Sequence, residues 1–488
     1  GFVDKKKKKE KEIIIKNMAD QIIHRGPDGE GYYTDDLVAL GHRRLSIIDV
    51  KGGGQPIYNE DKTLAIIFNG EIYNYQELKE ELESKGYVFQ TKTDTEVILH
   101  GYSEWKDELY EKLRGMFAFV IYDKKNKEII GARDHFGIKP FYYYYKDNEF
   151  MFGSEIKSFL VHPEFQKELN TDALKMYLIF QYSVKEETFF KNVFKLKPGH
   201  FFHYKDGKLK IDSYFEVSFN KKDEPYEKLY NDLEKVLESS IYYHQTTSDV
   251  EVGAYLSGGV DSSYVVSVGK PEKTFSVGFS YEGFDETDYA QDLSKLLGIQ
   301  NTRKKISAED FFEALPKVEW HTDEPHANLS TVPLYFLSDL TSKQVKVALA
   351  GEGSDEMFGG YNEYNDPLLL RIYIHFPLVF RKGIRNICKH LPHFPGRNTL
   401  IKYGLPFNER YIGHGTYMES EEANKILADK LKNNETIADI LEPVYKKVKN
   451  EDELTKKMFI DFYFWLPQDI LLKADKMSMS HSIELRTP

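Results

Sequence analysis

Apolar and polar positions follow two different rhythms along the chain, and the change comes near residue 220. Up to about Tyr214 the sequence consists of short runs rich in β-branched and aromatic residues, separated by turn formers: LAIIF at 64–68, MFAFVIYD at 116–123 and KPFYYYYK at 139–146. Such runs predict β-strands. A polar stretch that contains proline, FNKKDEPYEK at 219–228, separates this part from the rest. We therefore expect two domains, the first of them rich in strands.

The second rhythm alternates apolar runs of strand length with longer helical patterns. VEVGAYL at 250–256 precedes the helical pattern DSSYVVSV at 261–268, and TFSVGF at 274–279 precedes a second periodic segment at 290–297. This order predicts a parallel sheet with crossover helices. After about Pro367 the pattern is helical and rich in aromatic residues to the end.

Composition excludes several classes of protein. The chain has 488 residues, 41% of them hydrophobic, but it has no apolar run of about 18 residues and no export signal, so we expect a cytoplasmic protein without a membrane segment. The net charge of −12 argues against nucleic acid as a partner. Cys388 is the single cysteine, which excludes a disulfide framework and favours a packed, inert thiol.

The segment YLSGGVDSSY at 255–264 follows an apolar run and precedes a helical pattern. A strand that enters a glycine-serine loop and then a helix directs backbone N–H groups and hydroxyls at one point, which suits a phosphate. Asp261 can hold a magnesium ion that accompanies the phosphate. The loop alone does not separate phosphate binding from an ordinary helix start capped by Ser and Asp.

A second segment, VKVALAGEGSDEMFGGY at 345–361, repeats this logic. Its β-branched run leads directly into three acidic residues, Glu352, Asp355 and Glu356. In parallel sheets, ligands bind beyond the carboxyl ends of the strands, and acids placed there repel each other unless a metal or a catalytic duty compensates. We therefore expect both loops to share one site.

Together these motifs resemble the glutamine-hydrolysing asparagine synthetase family. SGGVDSS at 257–263 is similar to the pyrophosphate loop of ATP pyrophosphatases, and KADKMSMSHSIELRTP at 473–488 is similar to a late helical motif of the family. The first part resembles the family's glutaminase domain in six motifs: RGPDGEG at 25–31, HRRLSIID at 42–49, FNGEIYN at 68–74, TKTDTEVI at 91–98, LRGMFAF at 113–119 and RDHFGIKP at 133–140.

The resemblance implies a fold that is α+β in its first part and α/β in its second. An N-terminal-nucleophile αββα glutaminase domain at 1–215 would precede an ATP-pyrophosphatase (PP-loop) synthetase domain at 220–488, which has a helical C-terminal part and is expected to continue beyond 488. Glutamine, aspartate and ATP would be the substrates, and Mg2+ a cofactor. The resemblance leaves room for a homodimer.

In the first domain the resemblance implies a glutamine pocket. Arg44 would pair with the α-carboxylate of glutamine and Asp94 with its α-ammonium. Asn69 and the Gly70 N–H would form the oxyanion hole. The implied glutamine-binding residues are Arg44, Leu45, Ser46, Ile47, Ile48, Asn69, Gly70, Glu71 and Asp94.

In the second domain the resemblance implies a nucleotide site. Glu352 matches a position needed to form the aspartyl-adenylate and is a candidate to take a proton from ammonia. Asp261 and Asp355 are the candidate magnesium ligands. The implied ATP-binding residues are Leu256, Ser257, Gly258, Gly259, Asp261, Ser262, Ser263, Val277, Ala350 and Gly351. The family normally has Ser where Ala350 stands, a mild departure because that contact is made through backbone.

The family's nucleophile is a cysteine at the start of the mature chain, whereas this sequence begins Gly1-Phe2. Aligning Gly1-Phe2 with the family opening Cys-Gly-Ile-x-Gly-Phe places that cysteine about four residues upstream. Two alternatives stay open at this point. The enzyme could amidate a carboxylate other than aspartate, or the chain could be a glutamine or ATP sensor without catalysis.

Overall fold

The computed structural model describes residues 1–4, 8–281, 283, 285–411, 413–415 and 418–488. These residues form seventeen β-strands: β1 (Phe2–Val3), β2 (Gly29–Thr34), β3 (Val38–Arg44), β4 (Ile57–Tyr58), β5 (Leu64–Ile72), β6 (Gly115–Asp123), β7 (Glu128–Arg133), β8 (Tyr142–Lys146), β9 (Glu149–Gly153), β10 (Val193–Lys195), β11 (His200–Lys205), β12 (Lys208–Ser213), β13 (Val252–Tyr255), β14 (Lys273–Phe279), β15 (Gln300–Ile306), β16 (Val347–Leu349) and β17 (Glu484–Arg486).

The same residues form nineteen α-helices: α1 (Lys8–Asp20), α2 (Tyr75–Ser84), α3 (Thr95–Trp105), α4 (Leu109–Lys112), α5 (Asp172–Phe180), α6 (Tyr226–Thr246), α7 (Val260–Gly269), α8 (Thr287–Leu297), α9 (Ala308–Thr322), α10 (Thr331–Ser342), α11 (Ser354–Phe358), α12 (Leu368–Tyr373), α13 (Leu378–His390), α14 (Arg397–Tyr403), α15 (Phe407–Arg410), α16 (Ser420–Ile426), α17 (Ile437–Val448), α18 (Glu453–Tyr463) and α19 (Leu471–Met479). No helix among the described residues combines the length and apolar character that crossing a membrane requires.

The first part of the chain builds two six-stranded sheets, ordered β10-β8-β9-β1-β3-β2 and β12-β11-β7-β6-β5-β4. Alternate residues of β5 and β6 face opposite ways, because successive side chains of a strand point to opposite faces. Ile66 packs into a core with α2 and α3, whereas its neighbour Ala65 packs into a core with Val38 and Leu40 of the other sheet. Helix α1 covers the far side of that other sheet through Ile15. The resulting layers are helix, sheet, sheet and helix, as expected from the sequence.

The second part builds a five-stranded parallel sheet in the order β15-β14-β13-β16-β17. The inner strands β13 and β16 read as short apolar runs because helices cover both faces, whereas the edge strand β15 is polar. Val266 of α7 lies in the core on one face, and Val332 of α10 lies in the core on the other. The central strand β13 leads into the glycine-serine loop, and its neighbour β16 leads into the acidic loop. The sheet therefore brings the two loops to the same edge, as the sequence predicted.

A buried ionic seam joins the first two sheets to the helices that flank the third. The Arg25 guanidinium forms ion pairs with Glu155 at 3.1 Å and with Asp475 of α19 at 2.8 Å. Lys139 reaches the same Asp475 at 3.2 Å. All four side chains are nearly inaccessible to solvent, so each charge depends on its partners for compensation.

Chain contacts define two compact units, and all of the sheets belong to the first, which comprises Gly1–Asn170, Glu186–Glu352 and Ile470–Pro488. The second unit comprises Thr171–Lys185 and Gly353–Asp469 and consists mainly of helices. Within it, Asp461 accepts hydrogen bonds from the hydroxyls of Tyr364 and Tyr411. Burial raises the pKa of Asp461 to about 7 despite these two donors.

Candidate active site

The predicted glutamine residues come together around one cavity in the first unit. Arg44, Asn69, Gly70, Glu71 and Asp94 all line this space of about 150 Å³. Leu45, Ile47, Ile48 and Gly1 line it as well, but Ser46 does not, since it is buried and its N–H donates to Asp28. All the residues proposed for glutamine except Ser46 therefore line one cavity, and their role in binding stays a prediction.

Arg44 is held in the cavity wall by backbone rather than by acidic side chains. Its guanidinium donates to the carbonyl oxygens of Ile48 at 2.9 Å, Asp49 at 2.8 Å and Val50 at 3.3 Å. Burial lowers the pKa of this guanidinium, although nearby carboxylates partly offset the effect. An oriented cation held in this way suits the carboxylate of a ligand.

Asn69 and Gly70 lie inside strand β5 rather than in the hairpin turn that an Asn-Gly pair often forms. The Asn69 side-chain nitrogen is buried and has no hydrogen-bond partner among the described residues. Gly70 has φ +147°, and a Cβ at this position would approach the Met116 carbonyl oxygen to 2.0 Å. Only glycine fits there. An unpaired donor beside a closely packed glycine is the arrangement that an oxyanion hole needs.

Glu71 and Asp94 form the acidic side of the cavity. Burial raises the pKa of the Asp94 carboxyl to about 6, while the N–H of Ile72 at 2.9 Å opposes the rise. Burial, followed by the charge of Asp94, raises the pKa of Glu71 well above its ordinary value. The Oε1 atom of Glu71 is buried without a partner among the described residues. A ligand that brought a positive charge would stabilise the ionised form of these carboxyl groups.

The glycine-serine loop connects β13 to α7 and is held by its own serines. The Oγ atoms of Ser257 and Ser262 lie 3.0 Å apart, and the Gly259 N–H donates to Ser257 Oγ at 3.1 Å. Gly258 has φ +89°, and a Cβ there would come within 2.8 Å of the Tyr289 Cβ. The loop thus requires glycine at 258 both for its backbone conformation and for packing against α8.

The neighbouring predicted residues lie around this loop. The Leu256 N–H donates to Phe275 of β14, and Val277 lies two residues further along that strand. A Cβ at Gly351 would lie 2.8 Å from the Ser262 backbone nitrogen and 2.9 Å from the Asp261 Cβ. Close backbone approach therefore brings the second loop against the first, as predicted. Ser263 belongs to the first turn of α7.

Glu352 follows Gly351 and has a basic neighbour that the sequence analysis did not identify. The Lys473 Nζ lies 3.8 Å from the Glu352 Oε2 and donates to Ser330 Oγ at 2.9 Å. Lys473 is buried, so its charge is directed toward these two partners. The sequence offered one indication of a role for Lys473, which is its place as the first residue of the KADKMSM motif.

Asp355, the second predicted metal ligand, lies in the first turn of the short helix α11 and belongs to the second compact unit. Its role as a ligand stays a prediction. In the described part of the chain no three His, Cys, Asp or Glu side chains are grouped so that they could hold a metal ion by themselves.

Two family models match the chain in succession. A glutamine amidotransferase domain matches residues 1–215, and an asparagine synthase domain matches residues 232–488. Asparagine synthetase [glutamine-hydrolyzing] 1 of Bacillus subtilis (strain 168) is 43% identical over 485 residues, which cover 98% of this chain and 76% of that protein.

The chain belongs to the glutamine-hydrolysing asparagine synthetase family. A putative asparagine synthetase of Mycobacterium bovis is 37% identical and covers 95% of this chain and 74% of that protein. A solved glutamine phosphoribosylpyrophosphate amidotransferase from B. subtilis is 18% identical and covers 60% of this chain and 62% of that chain, with a TM-score of 0.32.

Membership in this family identifies the chemistry of the chain. It is an ATP-dependent, glutamine-hydrolysing amidoligase, and its reaction is glutamine-dependent asparagine synthesis from glutamine, aspartate and ATP. The fold agrees, because a glutamine amidotransferase domain with two stacked sheets precedes an α/β synthetase region.

Proposed function

We propose that the cavity around Arg44 and Asp94 binds glutamine. Arg44 pairs with the α-carboxylate, and Asp94 with Glu71 receives the α-ammonium. The side-chain amide of Asn69 and the N–H of Gly70 stabilise the oxyanion that forms when the amide carbon is attacked. The unpaired Asn69 nitrogen supports this assignment, since a buried donor without a partner is costly unless a ligand uses it.

We propose that the loop at residues 257–263 holds the phosphates of ATP while the carboxylate of aspartate attacks the α-phosphorus and pyrophosphate leaves, which gives the aspartyl-adenylate. Ammonia then attacks the aspartyl-adenylate, and AMP leaves. Glu352 accepts a proton from the incoming ammonia, and Lys473 orients the Glu352 carboxylate. The observation that carries this half is the close packing of Gly351 against Asp261 and Ser262, because it joins the acidic loop to the phosphate loop.

Mg2+ fits the residues at this loop. Magnesium is commonly held by one or two protein carboxylates together with substrate phosphates and water, so a site with few acidic groups suffices. Asp261, in the first turn of α7, would provide one carboxylate. The ion would neutralise phosphate charge there. Asp355 stays the second ligand that we propose from the sequence.

We also propose a cytoplasmic location, a homodimer as the assembly and no nucleic-acid partner. The net charge of −12 supports the last point. The domain boundary between 215 and 220 likewise stays a proposal.

Replacing Glu352 tests the synthetase half. Glu352→Gln should keep the affinity for ATP within about tenfold but lower ammonium-dependent formation of AMP and asparagine by about two orders of magnitude, because a positioned acid-base group is lost. Glu309→Gln is the control, since Glu309 is exposed on the first turn of α9. If calorimetry showed a loss of ATP affinity, and turnover fell only as much as that loss explains, Glu352 would be a binding residue and not an acid-base group.

A further inference from the structure

Arg486 contacts both halves of the molecule from a fully buried position. It ends strand β17 and has no solvent exposure. Its Nη2 donates to the Glu71 Oε2 at 2.9 Å, and its Nε donates to the Glu484 Oε1 at 2.9 Å. Glu71 directly follows Gly70 and lines the glutamine cavity. One end of this arginine therefore lies against the glutamine site.

The backbone of the same residue is bonded to the nucleotide side. The Ala350 N–H donates to the Arg486 carbonyl oxygen at 2.9 Å, and Leu349 of β16 is the register partner of Arg486 in β17. Ala350 directly precedes Gly351, which packs against Asp261 of the phosphate loop. A shift of that loop would be transmitted to Arg486 through the hydrogen bond between the Ala350 N–H and the Arg486 carbonyl oxygen.

The remaining donors of the guanidinium are fixed to a rigid element. Its Nη1 donates at 2.8 Å to the carbonyl oxygens of His244 and Thr247, where helix α6 ends. Such carbonyls are unpaired within a helix and carry partial negative charge, so they suit a cation. The guanidinium can hardly turn without breaking these bonds, and its position is thereby set by the backbone around it.

Glu71 interacts both with Arg486 and with the acidic side of the glutamine cavity. Its Oε2 is engaged by Arg486, while its Oε1 has no partner among the described residues and Asp94 lies close enough for their charges to interact. A ligand ammonium between Asp94 and Glu71 would share the negative charge that Arg486 now receives. The Glu71–Arg486 contact must therefore weaken or adjust when glutamine binds, in a buried region where charge interactions are strong.

We propose that Arg486 is a positioning residue that couples the glutamine cavity to the nucleotide loop. The coupling rests on the proposed functions of both sites. Occupation of the phosphate loop displaces Ala350 and β17, which changes how tightly Arg486 holds Glu71, and this alters the affinity for glutamine. By linkage, glutamine alters the affinity for nucleotide by the same factor.

Calorimetric titration of glutamine into the 488-residue chain, with and without saturating ATP and Mg2+ and without aspartate, tests the coupling. We expect nucleotide to change the glutamine Kd by about fivefold or more, within the usual range for coupled sites. In Arg486→Lys, which lacks the planar fork of donors, the change should fall below about twofold. Glu71→Gln keeps the shape of the side chain and should reduce the ratio likewise, which provides a second variant if Arg486→Lys does not fold.

Arg44→Lys is the matched control. It carries the same substitution in the glutamine cavity but does not touch β17, so it should weaken glutamine binding while keeping the parent ratio. A parent ratio below about twofold would overturn the proposal, and so would an unchanged ratio in both Arg486→Lys and Glu71→Gln. If the parent bound no glutamine at all, the proposed glutamine site would fail together with the coupling. Ammonium-dependent synthesis, measured separately, reports on the nucleotide site alone.

Discussion

At the scale of single residues, the acidic side of the glutamine cavity combines two carboxyl groups that are difficult to ionise. Asp94 and Glu71 are both buried; burial raises the pKa of each, the charge of Asp94 raises the pKa of Glu71 further, and a hydrogen bond from Glu71 partly lowers the pKa of Asp94. Above pH 6 the Asp94 carboxyl, whose pKa is about 6, is ionised and can pair with an ammonium group. A ligand that brings a positive charge would compensate this buried carboxylate.

This arrangement predicts a pH dependence of glutamine binding. The pKa of Asp94 is raised to about 6, so Asp94 is ionised above that pH and neutral below it. The affinity for glutamine should fall about tenfold for each pH unit below 6, because a proton must leave before the ion pair forms. Calorimetry between pH 4.5 and 8 measures this. Asp94→Asn should bind more weakly with a flat profile, and an unchanged profile in that variant would remove Asp94 from the role.

At the scale of elements, the proposed nucleotide site depends on two loops that follow strands β13 and β16 and contain tightly packed glycines. Gly258 and Gly351 let the two loops approach each other and helix α8 within distances that a side chain would block. The pair Gly258-Gly259 after an apolar run predicted a close approach of backbone at the first loop, whereas Gly351 does not belong to such a pair and the packing against α8 was not predicted.

Gly258→Ala should therefore abolish ATP binding and leave glutamine binding within about twofold of the parent. The added Cβ would lie 2.8 Å from the Tyr289 Cβ at a φ of +89°, so the loop must rearrange. Gly54→Ala is the control, since a Cβ there meets nothing within 4 Å. Calorimetry with ATP and with glutamine distinguishes the two variants. Normal ATP affinity in Gly258→Ala would refute the role of this loop.

Motifs made the layers of the fold predictable, and most of the residues they indicated for glutamine line one cavity. Arg486 and Lys473 escaped prediction because their partners lie far away in the sequence. Arg486 meets Glu71 across 415 positions of the sequence, and no local pattern indicates a buried arginine. Lys473 likewise approaches Glu352 only through the tertiary fold. Ser46 was placed in the pocket by its motif, but its N–H is held by Asp28 instead.

At the scale of the whole molecule, the ionic seam around Asp475 joins the first two sheets to the synthetase helices. Asp475→Asn would leave the buried charges of Arg25 and Lys139 undercompensated, and breaking such a pair costs about 3 to 5 kcal/mol. The midpoint of urea unfolding should fall accordingly. Asp292→Asn, which removes an exposed pair with Lys295, should change stability by less than about 0.5 kcal/mol. Equal midpoints for both variants would contradict a structural role of the seam.

The most direct test of glutamine-dependent asparagine synthesis is to follow the amide nitrogen of glutamine into asparagine. For this test, the residues Cys-Gly-Ile-x of the family opening are added before Gly1. The protein is then supplied with glutamine labelled with ¹⁵N in its amide, and with aspartate, ATP and Mg2+. We expect ¹⁵N-asparagine, glutamate, AMP and pyrophosphate in equal amounts. The version that starts at Gly1 should form asparagine from ammonium but not from glutamine. Formation of ADP in place of AMP, or label that remains as ammonium while ATP is consumed, would contradict the account.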